Sequence, residues 1–111
     1  METPPPNTPQ RRAYFRLKFP DGNEPILYIE GLPYRVVDLS EQGIRVHNPL
    51  NRRFPEDIFI SFLHFRERTP IKLVGRTIRA DKDTTAIQLV IGVPYQVILE
   101  QQKRLLKLRN M

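Results

Sequence analysis

The chain has 111 residues, of which 18 are Lys or Arg and 12 are Asp or Glu, giving a net charge of +6. This length forms one domain around one hydrophobic core, which excludes a large multidomain enzyme. Without Cys there is no disulfide, thiolate metal site or thiol nucleophile. No apolar run is long enough to cross a bilayer and the N-terminus lacks a signal-peptide pattern. We therefore expect a soluble, cytoplasmic protein.

The first ten residues are rich in proline and almost free of apolar side chains. Such a segment samples extended polyproline conformations and does not pack against a core. Residues 1–10 are therefore predicted to be a flexible arm, and residues 11–111 a single domain.

Short runs rich in β-branched and aromatic residues follow, and turn-forming residues separate them. Prolines stand almost entirely between the runs, where a sheet tolerates them. The runs are AYFRLKF, ILYIEG, YRVVDLS, IRVHN, DIFISFLHF, IKLVGRTIRA and TAIQLVIG. This regular spacing predicts about six antiparallel strands that close into a small barrel.

The run DIFISFLHF is apolar on both faces. Ile58, Ile60, Phe62 and His64 alternate along it with Phe59, Ser61, Leu63 and Phe65. A strand with two apolar faces is usually covered on both sides, so we expect another element over one of them.

The last segment has helical periodicity. Pro94 suits the first turn of a helix, and the apolar spacing predicts an amphipathic helix over about 94–109. The face predicted to pack consists of Tyr95, Ile98, Leu99, Gln102, Leu105 and Leu106. The predicted fold is all-β with one C-terminal helix, a six-stranded antiparallel barrel whose open end or side the helix covers.

Three arginines, Arg11, Arg12 and Arg16, mark the junction between the arm and the first strand. In an extended chain Arg12 and Arg16 project to the same side. A guanidinium group can grip phosphate with two hydrogen bonds or bind the O6/N7 edge of guanine. A solvated basic strand end is the alternative, and for these arginines alone it is the commoner case.

A second cluster, Asp38-Leu39-Ser40-Glu41-Gln42-Gly43, lies where a strand leaves the sheet. Asp38 and Ser40 share one face of the extended chain, while Leu39 points into the core. Gly43 permits a backbone conformation or a close approach that a side chain would prevent. The alternative is an ordinary turn in which Asp38 and Ser40 bond their own backbone.

Taken together, Arg12-Ala-Tyr-Phe-Arg16 and Asp38-x-Ser40-x-x-Gly43, followed by short strands and a helix, resemble the PilZ domain family. The resemblance covers the chain from Arg11 to the helix. It implies a six-stranded β-barrel with a C-terminal helix that binds the bacterial second messenger cyclic diguanylate (c-di-GMP). It also implies a role in motility or biofilm regulation.

The resemblance further implies a ligand site. Arg12 and Arg16 would contact the phosphates and the guanine Hoogsteen edge, with Arg11 assisting. Asp38 and Ser40 would hydrogen-bond a guanine, and the lack of a side chain at the glycine that ends the motif would leave room for it.

One position departs from the family pattern. Many members have an aromatic residue, often Trp, where Arg79 stands in this sequence. Because a guanidinium group can also stack on a base, we expect Arg79 to take the place of that aromatic residue.

Catalytic and metal chemistry are not expected. His47 and His64 are the only histidines, and no acidic or histidine partner stands at ligand spacing. The sequence contains no glycine-rich phosphate loop, nucleophile elbow or pair of catalytic carboxylates. We therefore expect a protein that is not an enzyme and that has no cofactor.

The expected function is a c-di-GMP receptor whose arginine arm closes over the nucleotide and changes a surface read by an unidentified downstream protein. One alternative is a single-stranded nucleic-acid-binding barrel, which the basic charge and Tyr14, Phe15, Phe62 and Phe65 would suit. Another is an adaptor that ignores the nucleotide and works through the helix. Neither nucleic acid nor membrane is the expected partner.

Overall fold

The computed structural model of the protein describes residues 15–109. The predicted flexible arm, residues 1–10, lies outside this range, as do Arg11 and Arg12. In the described part the elements are β1 (Leu17–Lys18), β2 (Ile26–Ile29), β3 (Leu32–Leu39), β4 (Gly43–His47), β5 (Phe59–His64), β6 (Ile71–Ala80), β7 (Thr84–Ile91) and α1 (Tyr95–Arg109).

Six antiparallel strands, β2 to β7, close into a barrel. Neighbouring strands follow the order β3, β2, β5, β6, β7, β4, and a further pairing between β3 and β4 closes the ring. Closure leaves none of these six strands as a free edge. The predicted six-stranded antiparallel barrel with one C-terminal helix is confirmed. In the described part of the first predicted run, Leu17 and Lys18 form β1, which pairs with the end of β3.

The barrel interior holds the hydrophobic core, because alternate side chains of each strand point inward. The largest fully buried side chains on the strands are Leu27, Ile29, Val36, Leu39, Ile44, Val46, Leu63, Leu73 and Ile87. Phe54, from the loop before β5, packs edge-on against Tyr34 and Phe59 at ring distances of 4.9 and 6.2 Å. These aromatic contacts extend the core into that loop.

The helix packs on the core with a face that differs from the predicted one. Ile98 and Leu105 are buried, as predicted, but Val97 and Gln101 are buried with them. The prediction for Tyr95 and Leu106 is wrong, since they are 47% and 48% exposed. The buried face is therefore rotated toward Val97, because packing on the barrel and not the apolar stripe alone sets the orientation of the helix.

The outer face of β5 is uncovered in the described part of the chain. Ile60 and Phe62, and Ile58 just before the strand, are 50%, 45% and 53% exposed. The alternate residues Phe59, Ser61 and Leu63 are buried. We expected another element over one of the two faces; within residues 15–109 the inner face packs in the barrel core and the outer face is exposed.

The turn between β3 and β4 lies against the segment that leads into α1. The Leu89 amide donates a hydrogen bond to the carbonyl oxygen of Gln42 at 2.9 Å. Next to it, a Cβ atom on Gly92 would lie 1.9 Å from the carbonyl oxygen of Glu41. Glycine is thus required at position 92, because the two backbones approach too closely for any side chain.

We expect Gly92→Ala to lower the free energy of unfolding by about 1–3 kcal/mol, since one backbone segment must move to admit the methyl group. Urea denaturation measures the change. Gly43→Ala is the matched control, because a Cβ there would meet nothing closer than 3.6 Å and should leave stability nearly unchanged. Equal stability of Gly92→Ala and the parent protein would contradict the close approach.

Candidate functional site

A β-bulge in β3 determines the direction of Asp38. Val36 faces the core opposite Val46, and the next pair in register is Asp38 with Arg45, so that Val37 is an extra residue. In a regular strand, Asp38 would lie on the same inward face as Val36. A bulge shifts the alternation by one residue, which turns Asp38 to the outer face and keeps Leu39 in the core.

Two arginines face the Asp38 carboxylate. Arg16 donates a hydrogen bond from Nη1 to Oδ1 at 2.7 Å, and Arg45 places Nε 3.9 Å from Oδ2. The Asp38 side chain is only 5% exposed, whereas that of Arg16 is 52% exposed. The Nε atom of Arg45 is buried and has no hydrogen-bond partner among the described residues. A charged acceptor and an unused donor therefore lie side by side.

Ser40 and Gly43 shape the turn beside this carboxylate. The Ser40 amide donates to the carbonyl oxygen of Gly43 at 2.8 Å, and the Ser40 hydroxyl lies 3.4 Å from the same oxygen. These are the turn contacts that the alternative interpretation describes for Ser40, whereas the Asp38 carboxylate accepts from Arg16. Packing does not demand glycine at position 43, however, since a Cβ would have ordinary contacts of 3.6 and 3.7 Å. A methyl group at position 43 would therefore fit without moving a neighbour.

An open cavity of about 290 Å³ lies over the turn and the outer faces of β4 and β7. It is lined by Arg16, Ser40, Gln42, Gly43, Ile44, Arg45, Ile78, Ala86, Ile87 and Gln88. Its wall combines two guanidinium groups with two glutamine amides and with small or apolar side chains, and Asp38 pairs with the two arginines. The cavity suits an anionic ligand with a flat apolar part.

Comparison with known families agrees with this geometry. The family model for the PilZ domain matches residues 10–108. The chain belongs to the PilZ domain family. Members of this family typically bind c-di-GMP.

A solved structure supports the fold independently. The crystal structure of the uncharacterised Legionella protein Lpg0364 is similar to this PilZ domain, with a TM-score of 0.64 and 20% sequence identity. The similarity covers 88% of this chain and all of the Legionella chain. No curated protein matches the sequence.

Arg79 lies on the same outer face of the PilZ domain but outside the cavity. The strand register places Arg45, Ala86 and Arg79 side by side on β4, β7 and β6. Neighbouring strands are about 4.8 Å apart, so Arg79 stands roughly 10 Å from Arg45. Its Nε atom pairs with Asp81 at 3.2 Å, and Ile78, at a second bulge, lines the cavity.

The structure thus brings together Arg16, Asp38, Ser40 and Gly43 from the predicted set. Arg11 and Arg12 precede Arg16 by five and four residues and lie outside the described range. Sequence reasoning missed Arg45. Its only signal is a cation two residues after the glycine of the motif, at an outward position of the next strand.

Other site types find no support within residues 15–109. No group of three His, Cys, Asp or Glu side chains in that range could hold a metal ion. His64 packs edge-on against Tyr28 at a ring distance of 4.6 Å. In the same range no helix of this PilZ domain is long and apolar enough to cross a membrane.

We expect Asp38→Ala to lower the free energy of unfolding by about 1–3 kcal/mol, because it leaves the buried Nε of Arg45 without a nearby carboxylate. Arg16→Ala should cost less than about 1 kcal/mol, since the Arg16 side chain is half exposed and Arg45 still faces Asp38. Urea denaturation of both variants measures the difference. The reverse order of stabilities would contradict the arrangement.

Proposed function

We propose that this PilZ domain is a receptor for c-di-GMP. The main support is the Arg16–Asp38 pair at the edge of the cavity. Its hydrogen bond of 2.7 Å, from Arg16 Nη1 to Asp38 Oδ1, connects the arginine motif to the Asp-x-Ser-x-x-Gly motif. Ser40, Gly43 and Arg45 line the cavity beside it. The ligand has two phosphates and two guanines, and therefore offers anions for the arginines and donor edges for a carboxylate.

Binding would proceed by an exchange of partners at Asp38. Arg16 is half exposed and can turn from Asp38 to a ligand phosphate, where a charge-assisted hydrogen bond replaces the one it leaves. Asp38 would then accept hydrogen bonds from the donor edge of a guanine. Arg45 still faces the Asp38 carboxylate after Arg16 has moved. The Nε atom of Arg45, which has no hydrogen-bond partner among the described residues, can donate to that carboxylate or to the ligand.

In this proposal, the arm preceding Arg16 closes over the nucleotide, with Arg12 and Arg11 as further phosphate contacts. Arg79 would leave Asp81 and stack on a base. The turn at Glu41 and Gln42 touches the segment before α1, so a change at the turn reaches the helix. A downstream protein would read the resulting surface.

We further propose that the domain acts by binding and not by catalysis, and that it does so in the cytoplasm, where a second messenger is made and sensed. Motility or biofilm formation is the process that membership of the family suggests. Single-stranded nucleic acid is the competing ligand, because the cavity wall is cationic.

Calorimetric titration with c-di-GMP should show saturable binding to the full chain. Arg16→Ala and Asp38→Ala should each weaken it by about 10- to 100-fold, because each removes a charge-assisted contact. Arg53→Ala is the matched control, since Arg53 is exposed on the loop before β5 and outside the cavity wall. Its affinity should equal that of the parent protein.

Two results would overturn the proposal. One is the absence of binding by the parent protein. The other is tight binding of oligonucleotides that Asp38→Ala leaves unchanged, which would favour a nucleic-acid-binding barrel.

Gly43→Ala should reduce the space for the ligand without changing the stability of the protein. The methyl group has room in the protein, with its nearest neighbour at 3.6 Å, but it projects beside the cavity wall. We expect c-di-GMP affinity to fall by about ten-fold or more, equivalent to roughly 1.4 kcal/mol, with an unchanged midpoint in urea. Unchanged affinity would show that the ligand does not lie over Gly43.

A further inference from the structure

An apolar surface lies on the side of the barrel opposite the cavity. In the closed ring, β5 is three strands away from β4 in either direction, so it stands across the barrel from the turn and the cavity. The surface is centred on the exposed apolar side chains of β5. A soluble monomer rarely exposes an extended apolar patch without using it.

The strand register shows that these side chains form one continuous patch. Phe62 lies between Tyr28 on β2 and Lys72 on β6. Ile60 is paired with Val74 on β6, which is paired with Ile91 on β7. Directly paired side chains are about 5 Å apart, so the rows join without a gap. We call this patch the β5 face, and it consists of Tyr28, Ile58, Ile60, Phe62, Val74 and Ile91.

The charges around the β5 face differ between its two sides. On the β6 side, Lys72 and Arg76 are exposed and flank Val74 on the same face of the strand. On the β2 side, Ile29 is paired with Ser61 of β5. Because the two strands are antiparallel, the residue after Ile29, Glu30, lies next to Ile60. Glu30 is held there by the two-residue turn Glu30-Gly31, with φ of 52° and 82°. The β6 rim is therefore basic, and the β2 rim carries an acidic side chain, Glu30, at the level of Ile60.

We propose that the β5 face is the contact surface between two copies of this chain. A two-fold axis parallel to β5 would bring Phe62 and Ile60 against their own counterparts. The same rotation would exchange the two rims, so that Glu30 of the second copy lies over Val74, between Lys72 and Arg76. The contact between acidic and basic rims thus occurs twice in the dimer, once on each side of the axis.

The distribution of charge favours a second copy over other occupants. An anionic membrane or nucleic acid would be attracted by Lys72 and Arg76 but repelled by Glu30. A second copy places an opposite charge against each rim. By symmetry, its apolar centre meets the apolar centre of the first copy. The cavity on the opposite side stays open in such a dimer.

Sedimentation velocity of the full chain, from low micromolar to several hundred micromolar concentrations, tests this contact. We expect a reversible equilibrium between monomer and dimer. Phe62→Asp should weaken the dimer by about a hundred-fold, because it places a charge at the centre of the apolar contact. Leu50→Asp is the matched control, since Leu50 is 71% exposed on the loop between β4 and β5, outside the β5 face, and should leave the equilibrium unchanged.

Charge reversal at the rims provides a test that does not disturb the apolar centre. Glu30→Lys alone, or Lys72→Glu with Arg76→Glu, should each weaken the dimer by about ten-fold. Combining all three changes should restore it. A parent protein that stays monomeric throughout, a dimer indifferent to Phe62→Asp, or a triple variant no better than the single charge reversals would overturn the proposal.

Discussion

The extra residue at Val37 is the constraint on which the site depends. A regular strand would place Asp38 beside Val36 inside an apolar barrel, where a carboxylate has no water and no cation. The bulge turns that carboxylate outward, opposite Arg45 and within 2.7 Å of Arg16. The same shift returns Leu39 to the core. One backbone irregularity thus reconciles a buried hydrophobic strand with an outward-facing carboxylate, because it reverses the alternation at a single point.

Closure of the ring has a second consequence. The inward side chains of the strands form the hydrophobic core, and the two proposed binding surfaces lie on the outer faces. Two such faces stand apart: the cavity over β4 and β7, and the β5 face. Because β5 lies across the barrel from β4, a contact at one does not obstruct the other. The proposed nucleotide site and the proposed protein contact could therefore be occupied at the same time.

Most of the fold could be predicted from the sequence, because alternation of apolar residues and the position of prolines are local signals. Arg16, Asp38, Ser40 and Gly43 could be predicted as one site, because their order and spacing resemble a known family. Arg45 could not be predicted as part of the site. In the sequence, an arginine at an outward strand position cannot be distinguished from a solvated residue, and only the strand register places it opposite Asp38. The bulges were equally hidden, because an extra residue is defined only by the strand that it pairs with. The predicted orientation of the helix was wrong for a related reason, because the sequence does not show which part of the barrel the helix packs against.

Because the turn contacts the segment before α1, one backbone amide proton can report on the opening of the turn. The Leu89 amide is bonded to Gln42, inside the residues that connect Ser40 to Gly43, yet it belongs to the last strand of the barrel. Its exchange with solvent requires those two segments to part, so its protection factor measures how often the turn leaves the barrel. Glycine at position 92 permits the close approach of these segments, since any side chain there would meet the Glu41 carbonyl oxygen. The amide of Leu89 is thus a native spectroscopic label for the site, distant in sequence from the motif that it reports on.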